Sequence, residues 1–130
     1  RPGREKKTEA ALHFVRWILD LPVKYIAMEN PVGCVSTRVR KPDQIIQPWQ
    51  FGEDASKKTC LWLKGFEPLV PTNIIVKKRY GNQTESGQNR LAPSPERAAI
   101  RSRSYPGIAA AMADQWGRKL VAAMNSTNGV

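Results

Sequence analysis

Apolar residues recur at three- and four-residue steps over 5–20, where Ala11, Leu12, Val15, Ile18 and Leu19 mark one face with Phe14 beside it. That spacing predicts an amphipathic helix. Leu21-Pro22 ends it, because a residue before proline avoids the helical region. Residues 23–28, V-K-Y-I-A-M, then read as a strand, with Glu29, Asn30 and Pro31 just past its carboxyl end. A helix, a short break and a strand make one step of an α/β sheet. In such sheets functional groups collect beyond the carboxyl ends of strands.

Regular patterning lapses over 32–52. Pro42 and Pro48 exclude a long central strand there and leave Ile45-Ile46 as a short edge strand. A polar turn over 53–58 leads into T-C-L-W-L-K, a second strand over 59–64 closed by Gly65. The run I-I-V-K-K over 74–78 predicts a third, short strand. Residues 80–98 are rich in Gly, Asn, Gln, Ser and Pro and read as a long, flexible basic loop. Pro106 suits a first helical turn, where its missing N–H costs nothing. Ile108, Ala111, Met112, Gln115, Trp116, Leu120, Val121 and Met124 then continue at helical spacing, interrupted at Gly117, before a frayed tail over 125–130. The expected fold is α/β: a small sheet flanked by an N-terminal and a C-terminal helix, in one domain over 1–130.

Composition narrows the class without changing that picture. A chain of 130 residues, 41% hydrophobic and 25% charged, suits one soluble globular core. Its apolar runs are too short to cross a bilayer, and no secretory signal follows the basic N-terminus. Cys34 and Cys60 make neither a metal site nor a disulfide framework, so a reduced, cytoplasmic setting is expected. The sequons at Asn82 and Asn125 then read as chance. Because the chain opens on Arg1 rather than Met, a C-terminal portion of a longer protein is one expectation.

The net charge of +10 changes the picture more, since it calls for a polyanionic partner, and nucleic acid is the commonest one. Between Lys77 and Arg103 seven cations face two carboxylates, and Arg38, Arg40 and Lys41 form a second cluster. Lys57 and Lys58 add to this basic surface. Arg101 and Arg103 stand just before the last helix, where free N–H groups also attract phosphate; a solvated hinge is the alternative.

Glu29 is the sharpest chemical candidate. A carboxylate held at a strand end accepts a hydrogen bond from a base's exocyclic amine, or donates to a ring nitrogen when protonated. The competing reading is a strand-end turn in which Asn30-Pro31 merely starts a loop. Trp49 and Trp62, flanked by polar and basic residues, are candidates for stacking on an unpaired base, with core packing as the alternative. His13, the lone histidine, sits beside the apolar stripe and is expected to be structural or surface-exposed. A dinucleotide glycine motif, a Walker loop, a zinc-deaminase signature and a Pro-Cys pair are all missing from the sequence. No metal site is expected.

The segments K-Y-I-A-M-E-N-P-V-G, R-K-P-D-Q-I-I-Q-P-W-Q-F-G, K-K-T-C-L-W-L-K-G-F-E-P-L-V-P-T and R-S-R-S-Y-P-G-I-A-A-A-M-A-D-Q-W-G occur here in that order. Together, over about residues 8–118, they resemble the C-terminal half of small phage and prophage DNA cytosine methyltransferase-like proteins. The resemblance implies a partial Rossmann-like, methyltransferase-type sheet and a bacterial host's cytoplasm. It also implies S-adenosylmethionine as cofactor and DNA as partner. In cytosine methyltransferases a strand ends in E-N-V, and its Glu holds the flipped cytosine while a cysteine thiolate attacks the ring. Glu29-Asn30 is similar, with Pro31 in place of Val. The cofactor loop and the nucleophilic cysteine precede that segment in the family and are absent from this chain. The resemblance therefore implies an N-terminal half or a partner chain that supplies them. A non-catalytic basic DNA-binding module is the alternative function.

Overall fold

The computed structural model describes residues 3–31, 33–84 and 104–128. In chain order the elements are helix α1 (Arg4–Leu19), strand β1 (Ile26–Pro31), helix α2 (Cys34–Arg38) and strand β2 (Gln44–Ile46), followed by a 3-10 turn (Pro48–Gln50) and strand β3 (Thr59–Lys64). The chain ends in a helical run made of α3 (Pro106–Ala111), a π segment (Met112–Trp116) and α4 (Gly117–Asn128). The fold is thus mixed α/β, with a small three-stranded antiparallel sheet and helices toward both ends of the chain.

The sheet has the order β1-β3-β2. β1 pairs antiparallel with β3 over six residues, from Ile26 opposite Lys64 to Pro31 opposite Thr59. A parallel neighbour, as in a Rossmann-like unit, needs a crossover of a dozen or so residues that is usually a helix. Here the link from β1 to β3 holds only the short α2, the short β2 and one 3-10 turn.

β1 begins three residues later than the V-K-Y-I-A-M pattern suggests, and its partner explains why. Gly65 turns the chain with φ of +78°, and a Cβ there would collide with the Lys24 carbonyl and the Tyr25 ring. The Tyr25 and Phe66 rings lie 5.2 Å apart at the same corner. That corner keeps 23–25 out of the ladder. At the far end β3 reaches back to Thr59, so Glu29, Asn30 and Pro31 lie within the strand rather than beyond it. Pro31 has no N–H to donate, which the last residue of an edge strand tolerates.

The described residues divide into two compact units, one of Arg1–Ile45 with Lys58–Pro68 and one of Ile46–Lys57 with Leu69–Val130. In the first, Leu12 of α1, Val35 of α2, and Cys60 and Trp62 of β3 form a buried cluster, against which Val15, Leu19, Met28 and Val39 pack. Alternation along β1 follows from this. Ile26 is buried, Met28 and Asn30 are part-buried, and Ala27 and Glu29 are exposed.

The second unit buries Ile46, Phe51, Ala55, Leu69, Ile108, Ala111 and Trp116. Side-chain amides stitch its irregular segments. The Gln115 amide both donates to and accepts from the Val70 backbone at 2.8 Å, and the Asn82 amide does the same with Ser56 at 2.7 and 2.9 Å. Such bonds satisfy backbone groups that no strand or helix pairs. In the terminal helical run, buried Ile108 and Ala111 are followed by buried Trp116, five residues on. The π segment takes up that spacing with its wider turn.

Three expectations differ from what is observed. No strand forms over 74–78; instead Phe51 makes a single parallel bridge to Asn73, and the Ile75 N–H bonds the Trp49 carbonyl at 2.8 Å. The loop expected from 80 is pinned over 80–84, where Tyr80 donates from its hydroxyl to the Ile75 carbonyl at 2.7 Å and from its N–H to Gln83 at 2.9 Å; its continuation over 85–98 lies outside the described residues. Where fraying was expected from Asn125, α4 carries the helix to Asn128.

Candidate nucleic-acid interface

β1 carries Glu29 on the face that turns away from the buried cluster. It stands opposite fully buried Leu61, and its own side chain is exposed. Among the described residues Glu29 is the one strand position with a carboxylate, and it has no hydrogen-bond or ion-pair partner there. Four other carboxylates are paired with cations, whereas Glu5 and Asp20, like Glu29, are exposed with no side-chain partner among the described residues. Glu9 pairs with Arg38, Asp43 with Arg40, Asp54 with Lys77 and Asp114 with Arg118. Asn30 alternates to the other face of β1 and is part-buried opposite Cys60. The two residues of the E-N pair therefore point to opposite sides of the sheet.

The antiparallel ladder brings Lys58 to the same end of the sheet as Glu29. Lys58 directly precedes Thr59, which pairs with Pro31. Lys58 is exposed and has no partner among the described residues. At the opposite end of the ladder stand Lys24 and Lys64, and the Lys64 ammonium donates to the Leu21 carbonyl at 3.3 Å.

Arg38, Arg40 and Lys41 follow one another on α2 and its exit, fixed to the rest of the unit by structural bonds. The Arg16 guanidinium donates to the Arg38 carbonyl at 3.1 Å. The Arg40 guanidinium reaches both oxygens of Asp43 at 3.2 Å. Asp43 in turn accepts from the Leu63 N–H of β3 at 2.6 Å. Of the three cations, Lys41 alone is exposed with a side chain that has no partner among the described residues.

Of the two stacking candidates, Trp62 is 0% exposed and belongs to the buried cluster, so it offers no face to a base. Trp49 is part-buried, with its ring stacked on Tyr80 at 5.9 Å. Lys57 is part-buried, and its N–H bonds the Gln47 side chain at 2.8 Å. Arg101 and Arg103 lie outside the described residues. The exposed aromatic pair joins Phe14, which the pattern sets beside the helix stripe, to Trp17, a helix-face residue expected to be packed and found exposed instead. Phe14 and Trp17 stack on each other at 5.8 Å, each 57% exposed. The signal for them was available, since both fall opposite Leu12, Val15 and Leu19 on a 3.6-residue wheel.

Neither cysteine is placed beside Glu29 by the ladder. Cys60 faces the apolar cluster, where a thiol is held inert, and Cys34 is exposed at the first turn of α2. Among the described residues no three His, Cys, Asp or Glu side chains gather as a metal would require. No helix among them is long and apolar enough to cross a membrane. No protein-family model, curated protein or solved structure matches this chain.

Proposed function

We propose that this chain is the DNA-contacting part of a phage-type cytosine methyltransferase-like protein, with Glu29 presented to an extrahelical base. One observation carries the reading. In a chain of net charge +10, Glu29 stays exposed and unpaired among the described residues, at the same end of the β1–β3 ladder as the free cation Lys58. A carboxylate that was only structural would gain by pairing with one of the many cations, as Glu9, Asp43 and Asp54 do. Left open, it accepts from an exocyclic amine while Lys58, at the same end of the ladder, holds phosphate. A Rossmann-like, methyltransferase-type sheet belongs to this reading only as one that an N-terminal half would complete around these antiparallel strands, and the resemblance across residues 8–118 belongs to it as well.

Among the described residues, those that follow β1 do not fit S-adenosylmethionine. β1 runs through Gly33 into a five-residue helix, not through a glycine-rich turn into a long one. The cofactor and the attacking thiolate are assigned to an N-terminal half or a partner chain, and no step here passes through them.

A second reading, a basic DNA-binding module without chemistry, is favoured by the burial of Cys60 and by the free surface lysines. Both are tested on duplexes of one length that carry a single extrahelical cytosine or thymine. On the first reading the chain prefers the cytosine duplex, and Glu29→Gln removes the preference while the affinity for fully paired duplex and its salt slope stay unchanged. Equal affinity of the wild-type chain for both duplexes leaves the module reading standing alone. Absence of binding to any duplex sinks both.

A further inference from the structure

The outward side of α1 is a second surface, independent of Glu29. Its inward side is set by Leu12, Val15 and Leu19, which pack on the buried cluster. Opposite them, at steps of three, four and seven residues, stand Lys6, Lys7, Ala10, His13, Phe14 and Trp17, all exposed. The carboxylates of the helix fall elsewhere on the wheel, and Glu9 is already paired with Arg38. Two lysines therefore share a face with the stacked Phe14 and Trp17 rings, whose planes lie within 24° of each other. Lys7 precedes Phe14 by seven residues, about 10 Å along a helix at 1.5 Å per residue.

An exposed aromatic pair is costly to leave in water and points to a partner. The charge around it selects which. A helix or strand of another protein would bury the lysines and the imidazole against apolar side chains. A single nucleic acid strand matches both features, since its unstacked bases present π-faces and its phosphates run on to meet cations on the same helix face. Duplex DNA matches only the lysines, because its bases are stacked on each other.

We infer that the Lys6–Lys7–His13–Phe14–Trp17 face of α1 binds unpaired nucleic acid, with Phe14 and Trp17 stacking on bases and Lys6 and Lys7 holding phosphates. This rests on the polyanion part of the reading above and not on Glu29 or on any methyl transfer.

The test uses the whole chain and two labelled probes, oligo-dT of about twenty nucleotides and a duplex of equal length, at several salt concentrations. The wild-type chain is expected to bind oligo-dT with quenching of Trp17 emission. Phe14→Ala/Trp17→Ala should weaken oligo-dT binding about tenfold or more, as loss of base–aromatic stacking does, with little change for duplex. Trp17→Tyr, which keeps a stacking ring, should restore most of the affinity. Lys6→Gln/Lys7→Gln should lower the salt slope on oligo-dT by about 1.4, at roughly 0.7 per phosphate contact. Both aromatic sites are exposed, so the variants should keep the wild-type unfolding midpoint. Undiminished oligo-dT binding by the double alanine variant overturns the inference, and if duplex binding persists the proposed function survives it. A dimer in the wild-type chain that the double variant dissolves also overturns it, by assigning the face to a second copy. Loss of binding to both probes in the wild-type chain removes inference and reading together.

Discussion

The indole Nε1–H of Trp62 donates to the backbone carbonyl of Arg40 at 2.9 Å, tying the basic α2 exit to the middle strand of the sheet. The indole is fully buried, and its partner lies on the segment that carries Arg38, Arg40 and Lys41. One side chain thus serves as core filler and as the peg that sets where three cations stand. Asp43 adds a second tie, since it accepts from both the Arg40 guanidinium and the Leu63 N–H.

Trp62→Phe should show that dual role. It leaves the Arg40 carbonyl without its donor and opens space beside Leu12. A loss of about 1–3 kcal/mol in urea unfolding is expected from the orphaned acceptor alone. Duplex affinity at low salt should fall as well, because the cation-bearing segment loses its anchor. Unchanged stability would mean the carbonyl is equally well satisfied by water.

Two glycines of the terminal helical run should respond with opposite signs. At Gly117 an added Cβ meets nothing within 4 Å, so Gly117→Ala should stabilise by up to about 1 kcal/mol through helix propensity. At Gly107 the same Cβ would run into the Phe51 carbonyl, and the Gly107 N–H bonds the Glu53 carboxylate at 3.0 Å. Gly107→Ala should therefore destabilise despite the better propensity. Thermal unfolding of the two variants side by side reads the contrast.

Stability should fall on the acid side in part through Asp54. A hydrogen bond from Lys77, at 2.9 Å, and then the Gly81 N–H hold its carboxyl below the ordinary value. A carboxyl depressed in the folded state favours folding at pH above its unfolded value. That contribution is lost as pH falls through the folded value. Asp54→Asn should flatten the stability profile below about pH 4, seen as a smaller drop in unfolding midpoint between neutral and acid buffer.

Tyr105 should act on the alkaline side. Burial, and then the charge of Glu53, raise its phenol above the ordinary value. The unfolded chain then ionises first, so stability present below about pH 10 declines as pH rises toward the folded value. Tyr105→Phe should remove that decline. A profile identical to wild type would assign the alkaline limb to other groups.

Much of this architecture is legible in the linear pattern because its causes are local. The α1 stripe, the Leu21-Pro22 stop, the T-C-L-W-L-K strand with Gly65 behind it, the Ile45-Ile46 edge strand and the helix opened by Pro106 depend on periodicity and on the backbone limits of Pro and Gly. Each is found within a residue or so of its expected place. The surplus of cations, and Glu29 as the carboxylate to watch, also come from composition and order alone.

Other features required three dimensions. The end of β1 depends on how far β3 reaches, which is a pairing question between segments some thirty residues apart. Whether Trp49 or Trp62 keeps a face toward solvent depends on which side the neighbouring elements cover, and the two tryptophans look alike in sequence; Trp62 is fully buried and Trp49 part-buried. Which acids and bases neutralise each other, Glu9 with Arg38 or Asp54 with Lys77, depends on contacts at long sequence separation. Propensity and periodicity act over a few residues, so they decide elements; burial and ion pairing act between elements, so only the tertiary structure decides which side chains remain free to bind.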